Sequence, residues 1–150
     1  MNKILSKPFL TSLFIKQNRW HKHSVLGHTL SVTFHAIKSG QFRFIVPALL
    51  HDIGKPFVAH QRNPKDVVSG TYSFTNHEEM SWHIIKNCPF ISDWTKDIIR
   101  HHYLLRDMYL SEQKGLVARG RRVTRRWEKL TPELKKDLEI FLAIDDAGKK

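Results

Sequence analysis

Residues 42–56 read FRFIVPALLHDIGKP, and the reading of this stretch decides the fold. Its pattern predicts a nearly uniform apolar helix over residues 42–53, kinked at Pro47, with Gly54 and Pro56 as stop signals. His51 and Asp52 stand at the end of that helix. Upstream, residues 23–38 carry Leu26, Leu30, Phe34 and Ile37 at close to a 3.6-residue period, which predicts a helix ended by Ser39-Gly40. Downstream, residues 55–75 hold Pro56, Pro64 and Gly70 with little periodicity and read as a long loop. Asn76 is expected to cap a helix with Glu78 and Glu79 in its first turn, ending near Asn87. Ser92 is expected to cap another, running through His101-His102 to about Tyr109. An arginine-rich stretch with Gly115 and Gly120 follows. Thr131-Pro132-Glu133 is a cap, a first-turn proline and an acidic first turn, and opens a last helix to about Ala147. No repeat and no strand-like alternation interrupts this, so the expected fold is an all-α, single-domain helical bundle over residues 1–150.

A chain of 150 residues suits one hydrophobic core and buries roughly 70% of its unfolded surface. Hydrophobic residues make up 41%, which excludes wholesale disorder. The net charge of +11 favours polyanionic partners: nucleic acid, nucleotides or an anionic surface. It is unevenly placed, since no acid precedes Asp52 and residues 1–51 contribute +7 of the total. The single cysteine, Cys88, rules out an internal disulfide and a cysteine-based zinc site. The longest apolar run, residues 44–50, falls far short of the ~20 residues of a spanning helix. The first residues lack a convincing cleavage site, so no signal peptide is assigned. A cytoplasmic protein without membrane partners is expected, and a homo-oligomer is left open.

Ten histidines is a high count for this length. His28 lies in the first good helix, His51-Asp52 at the end of the second, His77 at the start of the third, and His101-His102 within the fourth. Side chains from facing helices projecting to one point are how a helical bundle builds a metal site. On the last helix Leu134, Leu138, Phe141 and Leu142 form an apolar stripe, and Asp145 continues it while Asp146 falls toward the edge. An aspartate centred on a core stripe is costly unless something pairs with it, and a divalent cation would do so.

The segments GHTL (27–30), ALLHDIGKP (48–56), NHEEM (76–80), IIRHH (98–102) and FLAIDDAGK (141–149) resemble the HD-domain metal-dependent phosphohydrolases over roughly residues 20–149. The resemblance implies an all-α fold and a minimal metal site of His28, His51, Asp52 and Asp145. His77, His101 and His102 match the extended pattern of members that hold a second ion. A Gly-Tyr-Pro signature, which marks the branch that cleaves cyclic dinucleotides, does not follow His102, so that substrate is not carried over. The HD modules of tRNA nucleotidyltransferases look similar around GHTL and HDIGKP, but a nucleotidyltransferase domain has no room here.

Imidazole and carboxylate ligands suit one or two Mn, Fe, Co, Ni or Zn ions better than Mg or Ca. Such ions would polarise a phosphoryl oxygen and activate water. Asp52, as a bridging ligand, and Lys55, as a phosphate contact one turn on, are the candidate catalytic groups. Arg119, Arg121, Arg122, Arg125 and Arg126, with no acid between residues 113 and 127, are candidate substrate-binding residues, because arginine forks onto phosphate. The expectation is a phosphohydrolase acting on a nucleotide or short nucleic-acid phosphoester. A non-catalytic, basic nucleic-acid-binding module on the same scaffold is the alternative.

Overall fold

A computed structural model describes residues 13–15, 17 and 23–149. Its helices are α1 (Val25–Lys38), α2 (Ile45–Leu50), α3 (Lys55–Val58), α4 (Pro64–Ser69), α5 (His77–Ile85), α6 (Asp93–His101), α7 (Leu104–Gln113), α8 (Val117–Glu128) and α9 (Pro132–Ala147). A 3₁₀ turn, Phe42–Phe44, precedes α2. Among the described residues there is no strand, and an isolated antiparallel bridge joins His60 and Ser73. No helix there is long and apolar enough to cross a membrane. The chain is an all-α single domain.

The core is built from Val32 and Ala36 of α1, Phe44, Ala48 of α2, Ile98 of α6, and Leu138, Phe141 and Ile144 of α9. Phe44 stacks on Phe141 with ring centroids 5.9 Å apart and packs against Trp94 at 5.4 Å. Truncating a buried phenylalanine such as Phe141 costs about 3–5 kcal/mol. The same ring lies against His51 (5.6 Å) and His102 (6.2 Å), so the core forms the floor beneath the histidines.

Several local expectations are corrected. The apolar stripe of α1 faces outward: Leu30, Phe34 and Ile37 are 56%, 59% and 46% exposed, while Val25, His28, Val32 and Ala36 are buried. At 100° per residue these sets occupy opposite sides of the helix, and the side that wins is the one bearing His28. Its small and β-branched residues let α9 approach closely, to the point that a Cβ on Gly148 would sit 2.4 Å from Val32 Cγ2. Pro47 does not kink a long helix. It lies in the first turn of the short α2, where a missing N–H costs nothing.

The long loop is ordered into α3, α4 and the His60–Ser73 bridge. Asn63 caps α4 by accepting from Asp66 N–H (3.1 Å), Pro64 opens it, and Gly70 closes it at φ 63°. Asn76 does not cap α5 through its side chain but adopts a left-handed φ of 58°. The helix expected through the histidine pair breaks at His102-Tyr103 into α6 and α7. The arginine-rich stretch is helix α8, entered through a left-handed turn at Gly115 (φ 63°). Ser92 and Thr131 cap α6 and α9 through side-chain oxygens accepting from Thr95 N–H and Leu134 N–H, both at 3.2 Å.

Candidate metal centre

The turn at residues 51–54 is pinned to α5 by one side chain. Ser81 Oγ donates to His51 O (2.6 Å) and accepts from Gly54 N–H (2.9 Å). Gly54 has an ordinary φ of −79°. Its lack of a Cβ matters because an added one would stand 2.5 Å from Ser81 N and 2.6 Å from His77 O. This close approach brings His51 and Asp52 against His77 at the start of α5.

Six side chains then converge as two buried groups: His28, His51 and Asp145; and Asp52, His77 and His102. Within each group, donor atoms lie within 4.8 Å of one another. Asp52 joins the two. Its Oδ2 faces His51 Nε2 (3.2 Å) and His28 Nε2 (3.5 Å), and its Oδ1 faces His77 Nε2 (3.5 Å). Asp145 Oδ1 lies 2.9 Å from His28 Nε2 and 3.6 Å from His51 Nε2.

The outer nitrogen of each ring is tied down. Nδ1 of His51, His77 and His102 donates to Ala48 O (2.8 Å), Phe74 O (2.9 Å) and Ile99 O (2.7 Å), and His28 Nδ1 faces Gly148 O at 3.3 Å. A carbonyl oxygen only accepts, so Nδ1 of His51, His77 and His102 carries a proton, and the Nε2 atoms of all four rings are turned inward. His77 Nε2 and His102 Nε2 consequently face each other at 3.3 Å. Burial, and then Lys55, hold His77 down at about 4, and burial pushes His102 well below the usual imidazole range. Both are neutral at pH 7, so two lone pairs oppose each other with no proton to share.

The buried His51 Nε2 and Asp52 Oδ1 make no well-aligned hydrogen bond, while Asp52 Oδ2 is met by Lys55 Nζ at 2.6 Å. Buried polar atoms without partners are rare in folded proteins, and a cation satisfies all of them at once. Burial works to lower the His51 imidazole, but Asp52 and Asp145 outweigh it and raise it to about 9. Asp52 and Asp145 stay ionised against their burial, held well below the usual carboxylate range by His51 and Lys55 in one case and by His28 and His51 in the other. The donor set fits two divalent ions with nitrogen and oxygen ligands.

The HD domain family model matches residues 25–145. The chain belongs to the HD-domain family. No curated protein and no solved structure matches the chain.

The HD domain treats the other expected residues differently. His101 lies outside both groups, beside Arg100, Arg126 and Glu79, and burial followed by the two arginines lowers it to about 4. Asp146 turns away from the centre to pair with Arg106 and with Lys149 (2.8 Å). Lys55 is neither a surface residue nor at a helix C-terminus. It opens α3, is only 5% exposed, and places Nζ 2.6 Å from Asp52 Oδ2. Arg119 is paired with Asp107 (2.7 Å) and Arg126 with Glu79 (3.3 Å), while Arg121, Arg122 and Arg125 are exposed on α8.

Several side chains around the HD centre escaped the sequence reading. Gln17, 1% exposed, accepts from Lys55 Nζ at 2.6 Å and donates to Ser24 O at 3.2 Å, so a residue outside the matched region fixes the lysine on Asp52. No local signal marks it. Arg106 and Lys149 hold Asp145 Oδ2 at 3.6 and 2.8 Å and leave Oδ1 to the histidines. Lys149 stands four residues after Asp145, a helical spacing that was readable; Arg106 was not. Glu78 Oε2 lies 3.5 Å from His77 Nδ1, and burial raises its carboxyl above the usual range.

Proposed function

We propose that this HD domain is a metal-dependent phosphohydrolase that cleaves a nucleotide or short nucleic-acid phosphoester with water. The observation that carries the reading is the inward-turned set of four Nε2 atoms around Asp52, with the His77 and His102 lone pairs opposed at 3.3 Å. Such an arrangement is unfavourable without a cation. His28, His51 and Asp145 would hold one ion, and His77 and His102 another, with one oxygen of Asp52 toward each. Divalent ions there supply Lewis acidity toward a phosphoryl oxygen and a water activated near neutral pH.

The remaining work falls to the chain. The Nδ1 bonds to backbone carbonyls set the tautomers and ring angles before any ligand arrives, so little reorganisation is needed. Phe141 closes the floor and keeps bulk water from beneath His51 and His102. Lys55, held between Gln17 and Asp52, keeps the carboxylate ionised and keeps a positive charge beside the centre, where a substrate phosphate carries its negative charge. No side chain is needed as nucleophile.

A panel of nucleoside mono-, di- and triphosphates, cyclic mono- and dinucleotides and short RNAs, assayed with Mn, Co, Ni and Mg, tests the reading. Phosphate release from at least one class, lost in Asp52→Ala, is the expected result. Tight nucleic-acid binding without release from any class would replace it with a binding module on the HD scaffold.

A further inference from the structure

Helix α8 presents a face that the hydrolytic centre does not use. Positions 118, 121, 122, 125, 126 and 129 recur at helical spacing and bring Ala118, Arg121, Arg122, Arg125, Arg126 and Lys129 to one side. Their side chains line an open groove of about 410 Å³. Among the described residues no carboxylate pairs with Arg121, Arg122, Arg125 or Lys129, whereas Arg119 and Arg126 are each tied to an acid. Arg121 and Arg125, Arg122 and Arg126, and Arg125 and Lys129 are like charges four residues apart, and such pairs destabilise a helix. The opposite side of α8 cannot relieve them, since Val123 there is buried and Trp127 packs against the core.

The face also has a direction. Helices α7 and α8 pack antiparallel, with Gly120 beside Ser111, so the C-terminal half of α8 returns toward the start of α7, two residues after His102. Arg126 reaches Glu79 at 3.3 Å, two residues from His77 in sequence. Arg126 therefore ties the C-terminal half of the row to α5, the helix that His77 opens.

We infer that this face is a binding track for a single-stranded polynucleotide whose terminal phosphoester enters the metal centre. The inference rests on the phosphohydrolase reading only for what happens at that terminus. From residue 118 to residue 129 the helix rises about 16 Å, which matches about five nucleotides at the stacked spacing of 3.4 Å per strand. A mononucleotide keeps its phosphates at the centre and leaves Arg121 and Arg122 unused. A duplex is too wide to bring a phosphoester to ligands as buried as His51 and Asp52. Arginine is the side chain suited to a succession of phosphates, which it grips through planar paired donors.

The test is binding of the metal-loaded full chain to fluorescein-labelled oligothymidylates and oligouridylates of graded length, made with phosphorothioate linkages to slow hydrolysis. Affinity is expected to rise with length and level off at about five nucleotides, with log K falling by about 3 per decade of salt if four phosphates are neutralised. That slope is a loss of roughly 60-fold between about 50 and 200 mM salt. The triple variant Arg121→Gln, Arg122→Gln, Arg125→Gln should flatten the slope by about 2, leaving only a few-fold loss over that range. Its melting temperature should match or exceed that of wild type, because repelling charges are removed. A variant that binds and responds to salt like wild type would overturn the inference, as would affinity independent of length or equal binding to vesicles of anionic lipid. Hydrolysis of bis(p-nitrophenyl) phosphate by the wild type is read separately. If it is absent while length dependence persists, the hydrolase reading fails and the track stands.

Discussion

Gly54→Ala is a one-carbon change that the geometry makes severe. Its Cβ would lie 2.5 Å from Ser81 N, 2.6 Å from His77 O and 2.9 Å from Met80 C, all backbone atoms of α5. None is the end of a flexible side chain, so α5 and the 51–54 turn must separate by about 1 Å to reach ordinary contact. Overpacking of this kind costs about 1–3 kcal/mol. Separation also stretches the bonds that Ser81 Oγ makes to His51 O and Gly54 N–H, and leaving such buried groups unsatisfied adds about 1–3 kcal/mol. A total near 3 kcal/mol corresponds to a fall in melting temperature of roughly 10 °C for a domain of this size. The same movement carries His77 on α5 away from Asp52 on the turn, whereas the new methyl meets no atom of His28 on α1 or Asp145 on α9. The expected result is a lower melting temperature together with loss of one of two bound ions. A variant with wild-type melting and two ions would refute the account of how the turn positions Asp52.

Three further outcomes follow from the centre and its surroundings. His101→Ala should keep both ions and His102→Ala should lose one, as read by metal content; the reverse result would show that the geometry has selected the wrong histidine. The imidazole of His51, raised to about 9 without metal, holds a proton at pH 7 that an ion must displace, so affinity at the His28, His51 and Asp145 group should fall about tenfold for each pH unit below 9. His77 and His102, lowered and already neutral, should give the other group no such dependence above pH 6; calorimetry in two buffers that shows no proton release at pH 7 would contradict the first statement, and release from the second group would contradict the other. Asp137 accepts from Arg43 (2.6 Å) and Trp94 (2.8 Å) far from the histidines, so Asp137→Ala should cost about 1–3 kcal/mol in a denaturant melt while leaving metal content unchanged.

How much of this was readable along the chain depends on what each residue type encodes. The caps at Ser92 and Thr131 were legible because their chemistry is local: a side-chain oxygen and an unpaired N–H three residues on. Asp145 was legible because an acid on an apolar stripe is conspicuous. The orientation of α1 was not, since its better apolar stripe faces outward and only His28, with small neighbours, shows which side meets α9. Gly54 was read as a helix stop, when its role is a close approach between segments about 25 residues apart. His101 and His102 are equivalent in sequence, and the helix break after His101 separates them: His102 turns inward onto Ile99 O, while His101 turns toward the arginines. Gln17 carries no motif at all and becomes visible only through its contact with Lys55.

The central claim is that six buried side chains hold two ions that make this HD domain a phosphohydrolase. Metal content and turnover of bis(p-nitrophenyl) phosphate, measured on one sample before and after chelation and after readdition of Mn, Co or Ni, test it most directly. The account predicts up to two divalent ions per chain, turnover lost on stripping and restored with the metal, and neither ion-dependent turnover nor full occupancy in His51→Ala or Asp52→Ala. Undiminished turnover in the stripped protein or in either variant would contradict it.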